Sequence, residues 1–241
     1  MTPPVMIFAA GRGERLRPLT DSTPKPLVPV AGIPLLERQL TLLAAGGVRH
    51  VVINLHHLGE QIEAHIGDGA RFGLRVRYSR EAQKLETGGG LLQALPLLGK
   101  GPIWLLNGDV VMTPDLARFP QRLTPGSDMH LLLTPTPAAR DRGDFTFDGT
   151  RVTGWGDSHV YCGLALLEGA FFRRFARTLL AQRQRSDVAG EPAGSFSLRT
   201  LFEHLVDRQR LHGSLYEGPW IDIGSPAQLK AANALLADTP P

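Results

Sequence analysis

Val5-Met6-Ile7-Phe8-Ala9-Ala10-Gly11-Arg12-Gly13 decides the fold: it is an apolar run that ends in a glycine loop. A short apolar run bounded by a turn signal is typical of a strand buried on both faces. Two glycines directly after such a strand let backbone N–H groups approach a phosphate closely. A dinucleotide fingerprint has its third glycine where this chain has Leu16, and the Gly-Lys-Ser/Thr of a P-loop is also absent. The loop suits a phosphate but fits neither common class, and an ordinary glycine-rich turn has the same pattern.

Strand and helix patterns alternate through the first half of the chain. The pattern predicts further strands at 51–55, 74–78 and 103–106, and helices at 34–45, 59–66 and 87–98. This alternation predicts parallel βαβ units and an open α/β sheet, in which ligands bind at the carboxyl ends of the strands. Gly11, Gly13 and Asp109 each follow a predicted strand, so we expect them at one edge of the sheet.

The second half of the chain is less regular. It predicts strands at 129–134, 160–167, 211–216 and 220–223, a hairpin at 144–155, helices at 169–182 and 198–208, and a loop at 186–195. Ser225-Pro226 predicts the start of a closing helix that runs to about Ala237, with Ser225 as its N-cap.

Size and composition exclude several classes of protein. The chain has 241 residues, of which 42% are hydrophobic and 20% charged, and this is typical of a globular protein. No run approaches the ~20 apolar residues of a membrane helix. The first residues lack the basic region of a signal peptide, so we expect a cytoplasmic protein with no membrane association. The single cysteine, Cys162, excludes an intramolecular disulfide and a Cys-rich zinc module, and we expect it to pack in the core.

The charge is only mildly basic. A formal net charge of +3 suits an anionic ligand without requiring a polyanion. Arginines cluster between 173 and 185, but no aromatic residues of a nucleic-acid reader are interleaved with them. A solvated helix face explains this cluster better, so we expect no nucleic-acid partner.

Lys25 lies between Pro24 and Pro26 in a stiff basic segment that follows the glycine loop. Prolines here disfavour a regular helix, and the residue before a proline is biased towards extended backbone. We therefore expect Lys25 in extended geometry, with its ammonium aimed at a fixed point. A solvated surface lysine is the ordinary alternative.

Two aspartates have the surroundings of magnesium ligands. Asp109 follows a predicted strand in Asn107-Gly108-Asp109, where a turn-forming aspartate is the alternative. Asp222 is the one acidic residue in the apolar stretch Trp220–Ile223, so it needs a partner if its side chain is buried. Together the two would form the small carboxylate set that phosphate-bound Mg²⁺ prefers.

Several segments of the chain match one enzyme family in the same order. They are Ala10–Leu16, Pro18–Thr20, Pro24–Pro26, Asn107–Asp109 and Trp220–Pro226. The chain therefore resembles the sugar-1-phosphate nucleotidyltransferases, also called nucleotide-sugar pyrophosphorylases. The resemblance implies an α/β fold: a Rossmann-like, mixed but mostly parallel sheet flanked by helices, with a small β-rich sugar-binding part. It implies one domain, 1–241, with a nucleotide-binding half at 1–125 and a sugar-binding half with the C-terminal helix at 126–241.

The resemblance also implies a reaction and roles for residues. A sugar-1-phosphate oxygen attacks the α-phosphorus of a nucleoside triphosphate, pyrophosphate leaves, and no protein nucleophile is needed. Arg15 would neutralise the pyrophosphate, Lys25 would grip the phosphates, and Asp109 and Asp222 would hold Mg²⁺. The implied nucleotide-binding residues are Ala9, Ala10, Gly11, Gly13, Ser79, Glu81, Gly88 and Asn107.

The base and the sugar are indicated by three further segments, Tyr78–Glu81, Leu85–Gly90 and Gly143–Phe145. These resemble most the bacterial N-acetylmuramate-1-phosphate uridylyltransferases of peptidoglycan recycling, which implies UTP and N-acetylmuramic acid 1-phosphate as substrates. The resemblance places Ser79, Glu81 and Gly88 near the base, and the sugar near Glu86, Thr87, Gly143 and Gly163.

Other readings stay open on the sequence. Glucose- and mannose-type relatives usually carry Glu-Lys-Pro where this chain has Gly154-Trp155-Gly156-Asp157, which disfavours a hexose phosphate. The sugar phosphate then lacks an evident ligand, and Arg140 and Arg142 are candidates on charge alone. A mannose-1-phosphate guanylyltransferase, another hexose-1-phosphate nucleotidyltransferase and a non-catalytic nucleotide-sugar sensor are the alternatives. A dinucleotide enzyme is disfavoured by Leu16.

Overall fold

The structure is a computed structural model that describes residues 2–138, 140–185 and 192–237. The strands of this part are β1 (Val5–Phe8), β2 (Pro29–Val30), β3 (Ile33–Pro34), β4 (His50–Leu55), β5 (Arg75–Arg80), β6 (Pro102–Asn107), β7 (Val110–Met112), β8 (Met129–Pro135), β9 (Phe145–Phe147), β10 (Val152–Trp155), β11 (His159–Glu168), β12 (Leu211–Leu215) and β13 (Trp220–Asp222). The helices are α1 (Leu19–Ser22), α2 (Leu35–Ala45), α3 (Gly59–Ile66), α4 (Glu86–Leu98), α5 (Gly169–Arg185), α6 (Leu198–Asp207) and α7 (Pro226–Ala237).

The first apolar run forms the centre of the main sheet. β1 pairs in parallel with β4 on one side and with β6 on the other, and β5 continues the parallel part beyond β4. β11 then pairs antiparallel with β6 and with β8, and β12 adds a parallel pair to β8. The predicted Rossmann-like α/β fold, a mixed sheet with a parallel central part flanked by helices, is confirmed.

Alternating side chains of the central strands face two separate helical layers. Ile7 and Ile53 belong to a core packed against α2 and α3, whereas Met6, Val52 and Leu105 belong to a core packed against α4, α5 and α6. Strands buried on both faces read as continuous apolar runs, which is why the sequence shows them without a polar alternation. None of the helices in the described residues is long and apolar enough to cross a membrane.

A third, smaller core joins the two ends of the chain. Leu16, which follows the glycine loop, packs with Val111 of β7, Ile223 and Ala232 of α7. β13 also pairs antiparallel with β7, outside the main sheet. The C-terminal helix therefore lies beside the segment that follows the first strand, although more than two hundred residues separate them in sequence.

The proline-rich segment differs from the expectation. One turn of helix, α1, fits between Pro18 and Pro24. The residues between these prolines carry the N–H groups that a helical turn needs and that proline lacks. Lys25 is not extended: it begins a 3-10 turn over Lys25–Leu27, and Val28 N–H donates to its carbonyl. The fixed φ of Pro26 suits such a turn, and the extended backbone is found on either side of it, at Pro24 and Val28.

Most other predicted elements are confirmed with small shifts of their ends. α5 extends to Arg185, and the hairpin of β9 and β10 is present. The hairpin of β2 and β3 and the strand β7 were not predicted. Of the predicted loop at 186–195, residues 186–191 lie outside the described part, and residues 192–195 form no helix or strand.

Candidate active site

A cavity of about 500 Å³ opens at the carboxyl ends of the central parallel strands. Phe8 at the end of β1 is in register with Asn54 of β4 and with Asn107 of β6. The strands β4 and β5 are added on one side of β1, and β6 is then added on the other side. The strand order therefore reverses beside β1, and open α/β sheets bind ligands at such a switch point. The lining residues are Phe8, Ala9, Ala10, Gly11, Gly13, Arg15, Lys25, Pro26, Asn54, Glu81, Lys84, Glu86, Thr87, Asn107, Gly108 and Asp109.

The glycine loop is held in shape by buried Thr20. Its hydroxyl donates to the carbonyl of Gly13 at 2.8 Å, and a Cβ at position 13 would lie 2.9 Å from the Thr20 methyl group. Gly13 also has a φ of +64°, a conformation that glycine adopts without steric cost. Glycine is thus required at position 13 by conformation and by space.

Asn54 connects the end of β1 to the wall of the cavity. Its side-chain oxygen accepts from Ala9 N–H at 2.7 Å, and its amide donates to buried Glu81 at 2.7 Å. The other oxygen of Glu81 accepts from Leu85 N–H at 3.1 Å. The carboxylate of Glu81 is therefore fixed in place by two donors, as a buried carboxylate requires.

Lys25 and Asp109 form an ion pair in the cavity wall. Lys25 Nζ lies 2.6 Å from Asp109 Oδ2, with the lysine side chain 12% exposed and that of the aspartate 37% exposed. The turn that carries Asp109 is held from below by buried Gln39, whose amide donates to the carbonyls of Asn107 and Val110 at 2.9 and 3.1 Å. Gln39 thus spans the turn on both sides of Asp109.

Asp222 reaches the same edge from the far end of the chain. It is in register with Val110 across the β7–β13 ribbon, and Ile223 N–H donates to the carbonyl of Asp109 at 2.7 Å. Asp222 is half-buried and has the partner that its apolar surroundings require, because Gln228 donates to its Oδ1 at 2.9 Å. The ribbon therefore brings together the two predicted carboxylates.

These two carboxylates are the residues that fit a metal ion. Within the described residues, no group of three or more His, Cys, Asp and Glu side chains could hold one. A pair of carboxylates is nevertheless the usual protein contribution to Mg²⁺ that also binds substrate phosphates, since this ion keeps several ligands from water and phosphate. The oxygen donors of Asp109 and Asp222 match that chemistry.

Positive groups surround the glycine loop. An adjoining cavity of about 400 Å³ is lined by residues 11–16, Lys25, Lys84 and Gly224. A Cβ at position 224 would lie 2.6 Å from Arg15 Nη2, so the missing side chain leaves room for the guanidinium. Lys84 pairs with Glu86 at 2.8 Å. Arg15, Lys25 and Lys84 thus converge on a loop whose backbone suits phosphate.

Each of the three glycines that follow Thr87 has its own packing reason. A Cβ at Gly88 would collide with the Phe196 ring, one at Gly89 with the carbonyl of Gly194, and one at Gly90 with the Glu81 carboxylate. Gly88 N–H also donates to the Phe196 carbonyl at 2.8 Å. The glycine run lets the start of α4 pack closely against the loop before α6.

Five of the predicted site residues are not among the residues that line the cavity. Asp222 lies on the neighbouring ribbon, and the Ser79 hydroxyl accepts from Gln93. Gly88 is packed as described above, Gly143 is close to the Asp157 backbone, and Gly163, at a bulge of β11 with φ +88°, lies against Asn107.

Arg140, Trp155 and Cys162 of the second half are not among the residues that line the cavity. The Arg140 guanidinium lies 5.8 Å from the centre of the Trp220 ring, next to the β13 strand. Trp155 stacks on Phe145 at 4.9 Å. Burial raises the pKa of the Cys162 thiol to about 12, with a smaller contribution from Asp144, so this core cysteine stays protonated at neutral pH.

Four residues that hold this site together were not predicted from the sequence. Asn54, Gln39 and Gln228 each position another site residue through a side-chain amide, and Thr20 holds the loop. Asn54 carried a usable signal, as a polar residue inside the apolar run 51–55. Gln228 also carried one, because Ser225 and Gln228 have the spacing of a capping box.

The comparison with family models decides the family. The family model described as nucleotidyl transferase matches residues 4–152, which are more than half of the chain. The chain belongs to the nucleotidyl transferase family. The predicted family and the predicted enzyme class are therefore confirmed.

Relatives and solved structures agree with this family assignment. The N-acetylmuramate α-1-phosphate uridylyltransferase of Neisseria meningitidis is 38% identical over 95% of this nucleotidyl transferase and 96% of its own length. The enzyme of the same name from Caulobacter vibrioides is 32% identical over 97% of this chain and 96% of its own. A crystal structure described as a glucose-1-phosphate thymidylyltransferase of Bacillus anthracis has a TM-score of 0.82 at 20% identity, covering 99% of this chain and 97% of that one. That likeness supports the fold.

Replacing Gln39 tests its support of the Asp109 turn. We expect Gln39→Met to lower the free energy of unfolding by about 1–3 kcal/mol, because the carbonyls of Asn107 and Val110 lose their donor. Urea unfolding measures the change, with Gln61→Met on the exposed surface of α3 as the matched control. A Gln39→Met protein as stable as that control would show that the two hydrogen bonds contribute nothing.

Proposed function

We propose that this nucleotidyl transferase moves UMP from UTP to N-acetylmuramic acid 1-phosphate and releases pyrophosphate. The observation that carries the proposal is the near full-length similarity to two N-acetylmuramate α-1-phosphate uridylyltransferases. The geometry supports it, because a phosphate-type loop, Lys25 and Asp109 line a single cavity at the switch point of the sheet.

The proposed reaction is an in-line displacement at the α-phosphorus of UTP. An oxygen of the sugar phosphate forms a new bond to the α-phosphorus. The bond from the α-phosphorus to the oxygen of pyrophosphate breaks, and its electron pair leaves with pyrophosphate. The backbone of Ala9, Ala10, Gly11 and Gly13 would hold the triphosphate at the end of β1. Lys25 would offset the negative charge that is shared between attacking and leaving oxygens, and Arg15 would neutralise pyrophosphate as it leaves. Positioning and charge stabilisation account for such catalysis without a protein nucleophile.

We propose Mg²⁺ as the cofactor, held by Asp109 and Asp222. When bound, the ion would supply positive charge to the phosphates of the substrates. The contribution of the chain is to bring Asp222 on β13 beside the turn that carries Asp109, and to place Lys25 against Asp109. Lys25 would then exchange part of its contact with Asp109 for the phosphate.

The remaining roles follow the family resemblance and stay proposals. Ser79, Glu81, Gly88 and Asn107 would shape the part of the site that takes the uracil nucleotide, and Glu86, Thr87, Gly143 and Gly163 the part that takes the sugar. Glu86 and Thr87 are best supported, since both line the cavity. Arg140 is the candidate for the sugar phosphate, because its guanidinium lies 5.8 Å from the ring of Trp220, which is two residues before Asp222 on β13.

The same proposal includes the setting of the reaction. Residues 1–125 would bind the nucleotide, and residues 126–241 the sugar, within one domain. The enzyme would act in the cytoplasm on soluble substrates, with no nucleic-acid or membrane partner, and would return a peptidoglycan sugar to the nucleotide-sugar pool. Mannose-1-phosphate guanylylation is the competing reaction, and the missing Glu-Lys-Pro motif disfavours it.

Pyrophosphate release tests the substrate pair. We expect release from UTP plus N-acetylmuramic acid 1-phosphate with Mg²⁺, and none from GTP plus mannose-1-phosphate, measured by a coupled pyrophosphate assay. Release from the second pair alone would replace the proposed substrates but keep the reaction type. Silence with both pairs would contradict the proposal.

Removing the lysine side chain tests its role at the phosphates. We expect Lys25→Ala to lower kcat by about 10²-fold or more, since one preorganised donor to the transition state is lost. Steady-state kinetics measure the loss, with Lys100→Ala on an exposed turn as the control. A change of less than about threefold, below ~1 kcal/mol of barrier, would exclude Lys25 from charge stabilisation.

Neutralising Asp109 tests the proposed metal site. We expect Asp109→Asn to abolish measurable turnover at any Mg²⁺ concentration while the Tm stays close to that of the unaltered protein, because a partly exposed ion pair stabilises the fold little. The measurements are pyrophosphate release against Mg²⁺ and thermal unfolding, with the exposed turn residue Asp115→Asn as control. Full activity with an unchanged Mg²⁺ dependence would remove Asp109 from the metal site.

A further inference from the structure

Gln228 is half-buried in the first turn of α7, and both ends of its side chain are used. Its Nε2 donates to Asp222 Oδ1 at 2.9 Å. Its Oε1 accepts from Gly224 N–H and from the Ser225 hydroxyl, both at 3.0 Å. One amide group therefore contacts the carboxylate on β13 and also the turn that follows it.

The capping geometry of α7 explains why this side chain has so little freedom. Gln228 N–H donates to the Ser225 hydroxyl at 3.3 Å, as expected for an N-cap residue. In a capping box the side chain three residues after the cap turns back towards the start of the helix. Gln228 makes this turn, and the oxygen is committed to the backbone before the helix. The nitrogen is thereby left facing Asp222.

The same side chain is linked to the phosphate side of the site. Gln228 Oε1 accepts a hydrogen bond from Gly224 N–H, and the Arg15 guanidinium packs against Gly224. Asp222 and the surface beneath Arg15 are therefore tied to each other through Gln228. A fixed relation between a metal carboxylate and the arginine at the phosphates is what positioning catalysis requires.

We propose that Gln228 is a positioning residue that orients the Asp222 carboxylate for the metal and keeps the Gly224 turn in place under Arg15. This inference rests on the proposed function, in which Asp222 holds Mg²⁺. The donor occupies one oxygen of Asp222 and limits the rotation of the carboxylate. A neutral amide does this without placing a second positive charge beside the metal, whereas a lysine or arginine there would oppose metal binding. Hydrogen-bond partners of ligating carboxylates act on metal affinity in this way.

The experiment separates this positioning role from helix capping. Gln228→Met removes the donor to Asp222 and keeps the length of the side chain, whereas Ser225→Ala removes the cap and keeps the donor. Gln121→Met is the matched control, because Gln121 is exposed and lies near the amino ends of the parallel strands, away from the site. Mn²⁺ is titrated into each protein in the presence of UTP, and water-proton relaxation reports the Mn²⁺ that is bound to the protein. Thermal unfolding of each variant is recorded in parallel.

We expect Gln228→Met and Ser225→Ala each to lower the Tm. Only Gln228→Met should weaken Mn²⁺ binding, by about tenfold or more. Its turnover should recover when Mg²⁺ is raised by a similar factor, whereas Ser225→Ala should keep the Mg²⁺ dependence of the unaltered protein. An affinity of Gln228→Met for Mn²⁺ within twofold of that of the unaltered protein would reduce Gln228 to a helix cap. If the unaltered protein with UTP bound no Mn²⁺, the proposed metal site would fail together with this inference.

Discussion

The hydrogen bond from Ile223 N–H to the carbonyl of Asp109 is the contact on which the site depends most. It closes the short β7–β13 ribbon and so brings a residue near the end of the chain to the carboxyl ends of the parallel strands β1, β4 and β6, which all come from the first half. The small core of Leu16, Val111, Ile223 and Ala232 holds this ribbon in place. Without the ribbon, the edge would keep its phosphate-type loop but would have only one of the two carboxylates.

Three glycines leave room for polar side chains that hold or line the site. Gly13 leaves room for Thr20, Gly224 for Arg15, and Gly90 for the Asn54–Glu81 pair. In each case the glycine leaves space for a polar side chain, and that side chain holds the glycine loop or lines a cavity. A larger residue at these positions would displace a functional group instead of a core side chain.

The sequence predicted the central sheet and the convergence of its loops well, because buried parallel strands leave continuous apolar runs and ligands bind where those strands end. It predicted Asp109 and Asp222 from their local surroundings, but their proximity depends on β7, a three-residue strand too short to show a pattern. Lys25 was expected to be extended, since the rule for residues before proline describes an isolated chain. In the folded chain Lys25 instead begins a 3-10 turn, which the hydrogen bond from Val28 N–H to the Lys25 carbonyl closes. Gln39 could not be found at all, because a glutamine on an amphipathic helix gives no sign of which carbonyls it reaches.

The two carboxylates of the site are held by different kinds of donor, and the difference has a physical consequence. Lys25 brings a full positive charge to Asp109, which opposes a metal ion there until phosphate shares the lysine. Gln228 brings only a dipole to Asp222, so this carboxylate keeps its attraction for a cation while its orientation is fixed. A metal ion alone would therefore be drawn more strongly to Asp222 than to Asp109. Its arrival with a triphosphate would relieve the opposition at Asp109, because the phosphate offers Lys25 a second anionic partner. At the proposed metal site, this arrangement would favour the metal together with the nucleotide over the metal alone, because one carboxylate has a charged hydrogen-bond donor and the other a neutral one.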